Sequence, residues 1–257
     1  MQFELARRTV FPEDENLLLI YNVKAGILHR CRPVASTYPR INMLPLRHFL
    51  IIAAMLLAST AQAKERRDVP GDFDFYALAM SWSPSFCATN RDPQQCGRGL
   101  GFVLHGLWPQ HDKGYPTECS NERVPETVRQ EYAPIFASPK LATHEWRRHG
   151  TCSGLDPVAY FKLSAQLKDS LAIPAVYQRP ASPVRASPGE LVQAFRAANP
   201  GMVVDAVLPF CRDGGRFLSE IQVCYNKAGR SRACSAGQIK RSYNSCRQES
   251  FLLPSER

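Results

Sequence analysis

Residues 144–154 read H-E-W-R-R-H-G-T-C-S-G, bringing two histidines, a carboxylate, two guanidinium groups and a cysteine into one short stretch. On a helix, at about 100° per residue, Glu145 and His149 stand four apart and share a face, with Arg148 beside them. An acid, an imidazole and a cation on one face suit proton transfer next to a developing anion. Arg147 falls on a different face and is expected to meet solvent or a polyanion backbone. A zinc protease needs H-E-x-x-H, with its histidines four apart. Here His144 and His149 are five apart, which disfavours a helical di-histidine clamp, and no metal or other cofactor is expected.

A second stretch, F-V-L-H-G-L-W-P at 102–109, embeds His105 in an apolar run. Alone, such a histidine reads as a core residue; beside the Glu/Arg face it supplies a second imidazole. Cleavage of RNA through its own 2′-hydroxyl needs a base to take that proton and an acid to protonate the departing 5′-oxygen. Imidazoles, with an ordinary pKa of about 6.5, can serve as both. The phosphorane carries extra negative charge, which fixed cations and hydrogen-bond donors stabilise. Such a site needs no metal.

The positioning elements follow from period and punctuation. Phe73, Phe75, Ala77 and Ala79 alternate with Asp74, Tyr76, Leu78 and Met80, predicting a strand buried on one or both faces. The apolar run 101–108 predicts a second, more central strand. Residues 84–99 are turn-rich, with Cys87 and Cys96 close enough to staple one loop. Between 110 and 143 the reading is mostly loop, with a short helix over 126–136. The reactive stretch opens a helical region ending near Gly150, and Asp156-Pro157 starts a helix running to Leu171. The four-proline segment 174–188 reads as a surface connection, and Ser187-Pro188 starts a helix over 189–198. Strands are predicted over 202–211 and 217–225, separated by Asp213-Gly214-Gly215. Residues 228–247 read as a basic, disulfide-tethered tail.

Net charge is +9, with 32 Lys and Arg against 23 Asp and Glu, which favours an anionic partner but does not name one. Of nine cysteines, Cys31 stands alone and eight fall after residue 86, an even number that fits a secreted disulfide framework. No C-x-x-C pair is present, so a zinc ribbon or thioredoxin-type site is not expected. From Met43, a basic Arg47, an apolar run over 49–58 and Ala61-Gln62-Ala63 form the pattern of a secretory signal peptide cleaved after Ala63. Its apolar run is well below the ~20 residues that span a bilayer. Residues 1–42 are expected to be an upstream extension outside the natural product, 43–63 the signal, and 64–257 one basic domain. That domain is expected in the periplasm or medium, as a monomer without a membrane span.

The two reactive stretches, together with F-Y-A-L-A-M-S-W-S-P-S-F-C at 75–87, resemble the ribonuclease T2 family, most closely its secreted bacterial members. The resemblance spans most of 64–257. It implies a single α+β domain, an antiparallel-rich sheet packed with helices and stapled by disulfides. The implied activity is cleavage of single-stranded RNA, with broad base specificity, through 2′,3′-cyclic phosphates to 3′-phosphates. Motif by motif, His105 would be the general acid, His149 the general base, Glu145 and Arg148 transition-state stabilisers, and His144 a phosphate holder. Position 148 departs from the family's usual lysine; the charge is kept, but a planar fork replaces a compact ammonium. Base binding would fall to Trp108, Gln110 and Tyr115. The family also implies the pairs Cys87–Cys96, Cys119–Cys152, Cys211–Cys246 and Cys224–Cys234; a paired Cys152 cannot act as a nucleophile. Two rival readings are a non-catalytic secreted module binding RNA or protein, and a metal-dependent hydrolase using the same histidines.

Overall fold

The aromatic and aliphatic run at the start of the domain folds as a strand buried on both faces, and the remaining elements assemble around it. The computed structural model describes residues 68–255; the upstream segment 1–42 and the signal segment 43–63 lie outside the described residues. In chain order the elements are β1 (Phe75–Trp82), α1 (Ser83–Cys87), β2 (Phe102–Gln110), α2 (Glu126–Tyr132), α3 (Pro139–Arg148), α4 (Pro157–Ser170), β3 (Val184–Ala186), α5 (Pro188–Ala198), β4 (Val207–Arg212), β5 (Phe217–Tyr225), α6 (Ala236–Ser245) and β6 (Phe251–Leu253). The six strands form one sheet in the order β2-β1-β5-β6-β3, with β4 also paired to β5. All pairings are antiparallel except β5 with β6. The fold is α+β, as the resemblance implies.

Tyr76, Leu78, Met80 and Trp82 of β1 enter the main core, while Phe75 joins a smaller cluster with Leu208, Cys224 and Cys234. In the main core, Trp146 of α3 meets Tyr160 of α4 at 5.7 Å, and Tyr160 meets Phe161 at 5.2 Å. Burying each such ring contributes about 1.5–3 kcal/mol relative to leaving it exposed. Two polar handles fix the layers: the Tyr160 hydroxyl donates to the Leu107 carbonyl at 2.8 Å, and the Trp146 indole donates to the Glu122 carbonyl at 2.8 Å. The helix bearing the reactive stretch is thereby locked against the strand bearing His105.

Helix starts follow local chemistry. Asp156 accepts from the Ala159 amide ahead of Pro157, and capping boxes form at Ser187/Glu190 and Ser235/Gln238. Each such cap stabilises by about 1 kcal/mol. Disulfides join Cys87 to Cys96, Cys119 to Cys152, Cys211 to Cys246 and Cys224 to Cys234. The second ties the loop after β2 to the turn after α3, so the two reactive stretches are held together covalently as well as by packing.

Four expectations need correction. β2 is an outer strand, not a central one; its free edge is met by Phe136, bridged to Leu104. An apolar run signals burial, and a covered edge supplies burial as well as an inner position does. Segment 174–188 is more than a surface connection, since Tyr177 is buried and 184–186 forms β3, paired to β6. The tail 228–247 contains α6, whose start the Ser235/Gln238 box marks. The strand expected from residue 202 begins only at Val207.

Candidate active site

His105 owes its direction to an irregularity in β2. Ala79 of β1 pairs with Gly106 while Met80 pairs with Leu104, so His105 is the extra residue of a β-bulge. A bulge re-aims a side chain that regular alternation would send to the other face. Here it brings His105 and Trp108, three apart in sequence, into edge-to-face contact at 5.1 Å. The imidazole remains about one-third open, with 35% of its side chain exposed.

The other imidazole arrives from the end of α3. Its amide completes the helix by donating to the Glu145 carbonyl, but its φ of −129° carries the chain out of the helix into the turn 150–152. His149 therefore shares the helix face of Glu145 only at its margin. The His149 ring lies 5.1 Å from Trp108, on which it packs at a 31° tilt. One indole thus touches both imidazoles. His149 Nδ1 is buried with no hydrogen-bond partner among the described residues.

Beside His105 and Trp108 sits Glu145, 1% exposed. Its Oε2 accepts the Trp108 indole N–H at 2.8 Å, and its Oε1 lies 3.9 Å from His105 Nε2. The approach depends on Gly106: a Cβ there would overlap the Glu145 carboxylate and lie 2.5 Å from the Trp108 indole nitrogen. The glycine of H-G-L-W is thus the vacancy into which the carboxylate fits.

The protonation states separate the imidazoles. Burial alone would lower the His105 pKa, but the hydrogen bond to Glu220 and the charges of Glu145 and Glu220 outweigh it and hold the group above its ordinary 6.5. Burial, joined by the positive charges of His105, Arg148 and His144, presses His149 down to about 3. Burial pushes Glu145 up to about 7, against the pull of His105, the Trp108 N–H and Arg148. His144 is lowered by burial and then by Arg147, Arg148 and His105. The environments thus push the two imidazoles in opposite directions, the arrangement that acid–base chemistry uses.

The remaining expected residues are placed less uniformly. His144 lines a cleft of about 310 Å³ beside His105, together with Ser81, Gln95, Lys140 and Leu141. Arg148 directs its guanidinium to Glu118 at 3.4 Å, and Arg147 lies 3.8 Å from the same carboxylate. Trp108 is packed between the imidazoles. Gln110 is 4% exposed and its amide donates to the neighbouring Pro109 carbonyl, so it presents little surface to a base. Tyr115 is 52% exposed on the following loop. Sequence reasoning missed Glu220, which meets His105 Nδ1 at 3.2 Å from 115 residues away. No local motif marks it; only the pairing of β1 with both β2 and β5 does.

Residues 73–234 match the Ribonuclease T2 family. A ribonuclease of Aeromonas hydrophila is 39% identical over 219 residues, covering 81% of this chain and 98% of its own. Ribonuclease DdI of Dictyostelium discoideum is 32% identical over 148 residues, 50% of this chain and 65% of its own. Among solved structures, ribonuclease MC1 from bitter gourd seeds shares the fold, with a TM-score of 0.51 and 24% identity over 62% of this chain and 92% of its own. With the family's match spanning β1 through β5, and a relative aligned along nearly its whole length, the chain belongs to the ribonuclease T2 family.

Proposed function

We propose that this protein is a secreted endoribonuclease that cleaves single-stranded RNA by metal-independent acid–base transesterification. The observation that carries the reading is the pair of imidazoles on one indole, with one pKa raised and the other lowered to about 3. Near neutrality this favours a proton on His105 and none on His149, the states a general acid and a general base require.

In the first step His149 takes the 2′-hydroxyl proton as that oxygen attacks phosphorus. The bond from phosphorus to the 5′-oxygen breaks, and His105 gives its proton to the leaving oxygen. The product is a 2′,3′-cyclic phosphate. In the second step His105 takes a proton from water, the water oxygen attacks phosphorus, and His149 returns its proton to the departing 2′-oxygen. A 3′-phosphate results. Glu145, with a pKa of about 7, can share a proton with a phosphoryl oxygen as charge builds there, and Arg148 supplies positive charge. His144 holds the phosphate from the rim of the cleft. The burial of Gln110 supports stacking, by Trp108 and Tyr115, rather than hydrogen-bond readout of bases, and hence broad base specificity. Export through the segment 43–63 to the periplasm or medium accords with the four disulfides and with the positive charge that suits a polyanionic substrate.

A matched pair of dinucleotides, one ribo and one 2′-deoxy at the attacking sugar, tests the reading in excess EDTA. The expected result is cleavage of the ribo compound at an undiminished rate and none of the deoxy compound. Loss of activity in EDTA would favour the metal-dependent alternative; absence of cleavage under every condition would favour a binding module.

A further inference from the structure

We infer that Glu220 is a positioning residue for the reaction, holding the His105 ring by Nδ1 so that Nε2 presents its proton to the leaving oxygen. This rests on the reading of His105 as the general acid.

Glu220 Oε2 lies 3.2 Å from His105 Nδ1. The carboxylate is itself fixed from behind: the Gln222 amide donates to Glu220 Oε1 at 2.8 Å, and the Gln238 amide donates to the Gln222 side-chain oxygen at 3.2 Å. Gln238 is 1% exposed and belongs to the capping box of α6. A hydrogen-bond chain, buried at its helix end and half-buried at the imidazole, therefore runs from a helix start to His105.

The sheet explains how the two side chains meet. Ser81 of β1 pairs with Val103 on one side and Glu220 on the other, and Ala79 pairs with Gly106 and Gln222. Directly paired residues share a face. Two small side chains on β1 leave room for Glu220 and the bulged His105 to reach each other across it.

The tautomer argument gives the contact a chemical purpose. As an imidazolium, His105 has a proton on each nitrogen. After giving the Nε2 proton to the leaving oxygen, it keeps the Nδ1 proton bound to Glu220, and Nε2 is free to accept a proton from water in the second step. Glu145 faces the other nitrogen, with Oε1 at 3.9 Å, and its Oε2 accepts from Trp108. The remaining charged or titratable groups around His105 are His149 and His144, with Asp92 and Lys140 in the adjoining cleft. None of them is hydrogen-bonded to Nδ1 among the described residues.

The test compares Glu220→Gln, Glu220→Asp and wild type on two substrates: a ribodinucleotide, whose leaving alkoxide needs a proton, and uridine 3′-(4-nitrophenyl phosphate), whose nitrophenolate leaves without one. Glu220→Gln is expected to lower kcat on the dinucleotide by about 10- to 100-fold, with KM changed by less than about twofold. Removing the negative charge should also move the alkaline limb of the rate profile to lower pH, because His105 then loses its proton sooner. On the nitrophenyl ester the loss should nearly vanish, and Glu220→Asp should recover part of the dinucleotide rate. Unchanged dinucleotide cleavage, or equal losses on both substrates, would overturn the role of Glu220. His105→Ala, run alongside, separates the two levels. If it loses as much on the nitrophenyl ester as on the dinucleotide, the assignment of His105 as the acid is what fails.

Discussion

Replacing His149 by alanine is expected to lower kcat on single-stranded RNA by about 10²- to 10⁴-fold, the usual worth of a positioned general base. The ring packs on Trp108 but makes no hydrogen bond through its buried Nδ1 among the described residues, so its removal strands no partner there. The loss should fall on kcat rather than on folding, and thermal melting of the variant separates the two. Wild-type pH dependence follows from the same shifts. With His149 at about 3, the base is already unprotonated under mildly acidic conditions, so kcat/KM should persist well below pH 6.5. Activity should fall on the alkaline side as His105, held above its ordinary value, gives up its proton. A profile whose acidic limb sits near 6.5 would mean that burial and the neighbouring cations do not govern His149 in solution.

Gly106→Ala should be nearly as damaging, although it adds one methyl group and leaves both imidazoles in place. The new Cβ would overlap the Glu145 carboxylate and crowd the Trp108 indole. Glu145 has little freedom to retreat, being 1% exposed on a helix anchored by Trp146 and Tyr160. Overpacking of this kind costs about 1–3 kcal/mol of stability. Displacing a group that stabilises developing charge should cost a further 10²- to 10³-fold in kcat, by about the amount lost when an oxyanion-hole donor is removed. Gly189→Ala is the control, since a Cβ there meets nothing within 4 Å. Calorimetry and steady-state kinetics on both variants should show stability and rate falling together only at position 106.

How much of this was legible in the sequence depends on whether the cause is local. The stretch 144–154 was legible as a meeting of carboxylate, cation and imidazole, though not as a named reaction, and Asp156-Pro157 announced the next helix by its cap. The start of α6 was equally readable in Ser235 and Gln238, yet the glycines, serines and basic residues of that tail masked it. What was not legible depends on pairing between distant segments. The bulge at His105 exists only relative to β1, and without it His105 and Trp108 would point to opposite faces. Glu220 is one polar position within the strand predicted over 217–225; only the register of β1 with β5 makes it the partner of His105. The depth of Gln110 likewise follows from the packing at the end of β2, which its sequence neighbours do not reveal.

Arg148 shows the same dependence on context. Its charge reaches both Glu145 and His149 and shifts their titration, while its guanidinium faces Glu118 from the loop fastened by Cys119. A planar fork can engage that carboxylate and a substrate phosphate from different edges, which a compact ammonium does less readily.

The central claim is that two imidazoles in opposite protonation states drive attack by the 2′-oxygen. The most direct measurement is the time course of ribodinucleotide cleavage in EDTA, followed by phosphorus NMR. A 2′,3′-cyclic phosphate should appear first and convert more slowly to the 3′-phosphate. Direct formation of a 5′-phosphate, or of a 3′-phosphate with no cyclic precursor, would contradict it.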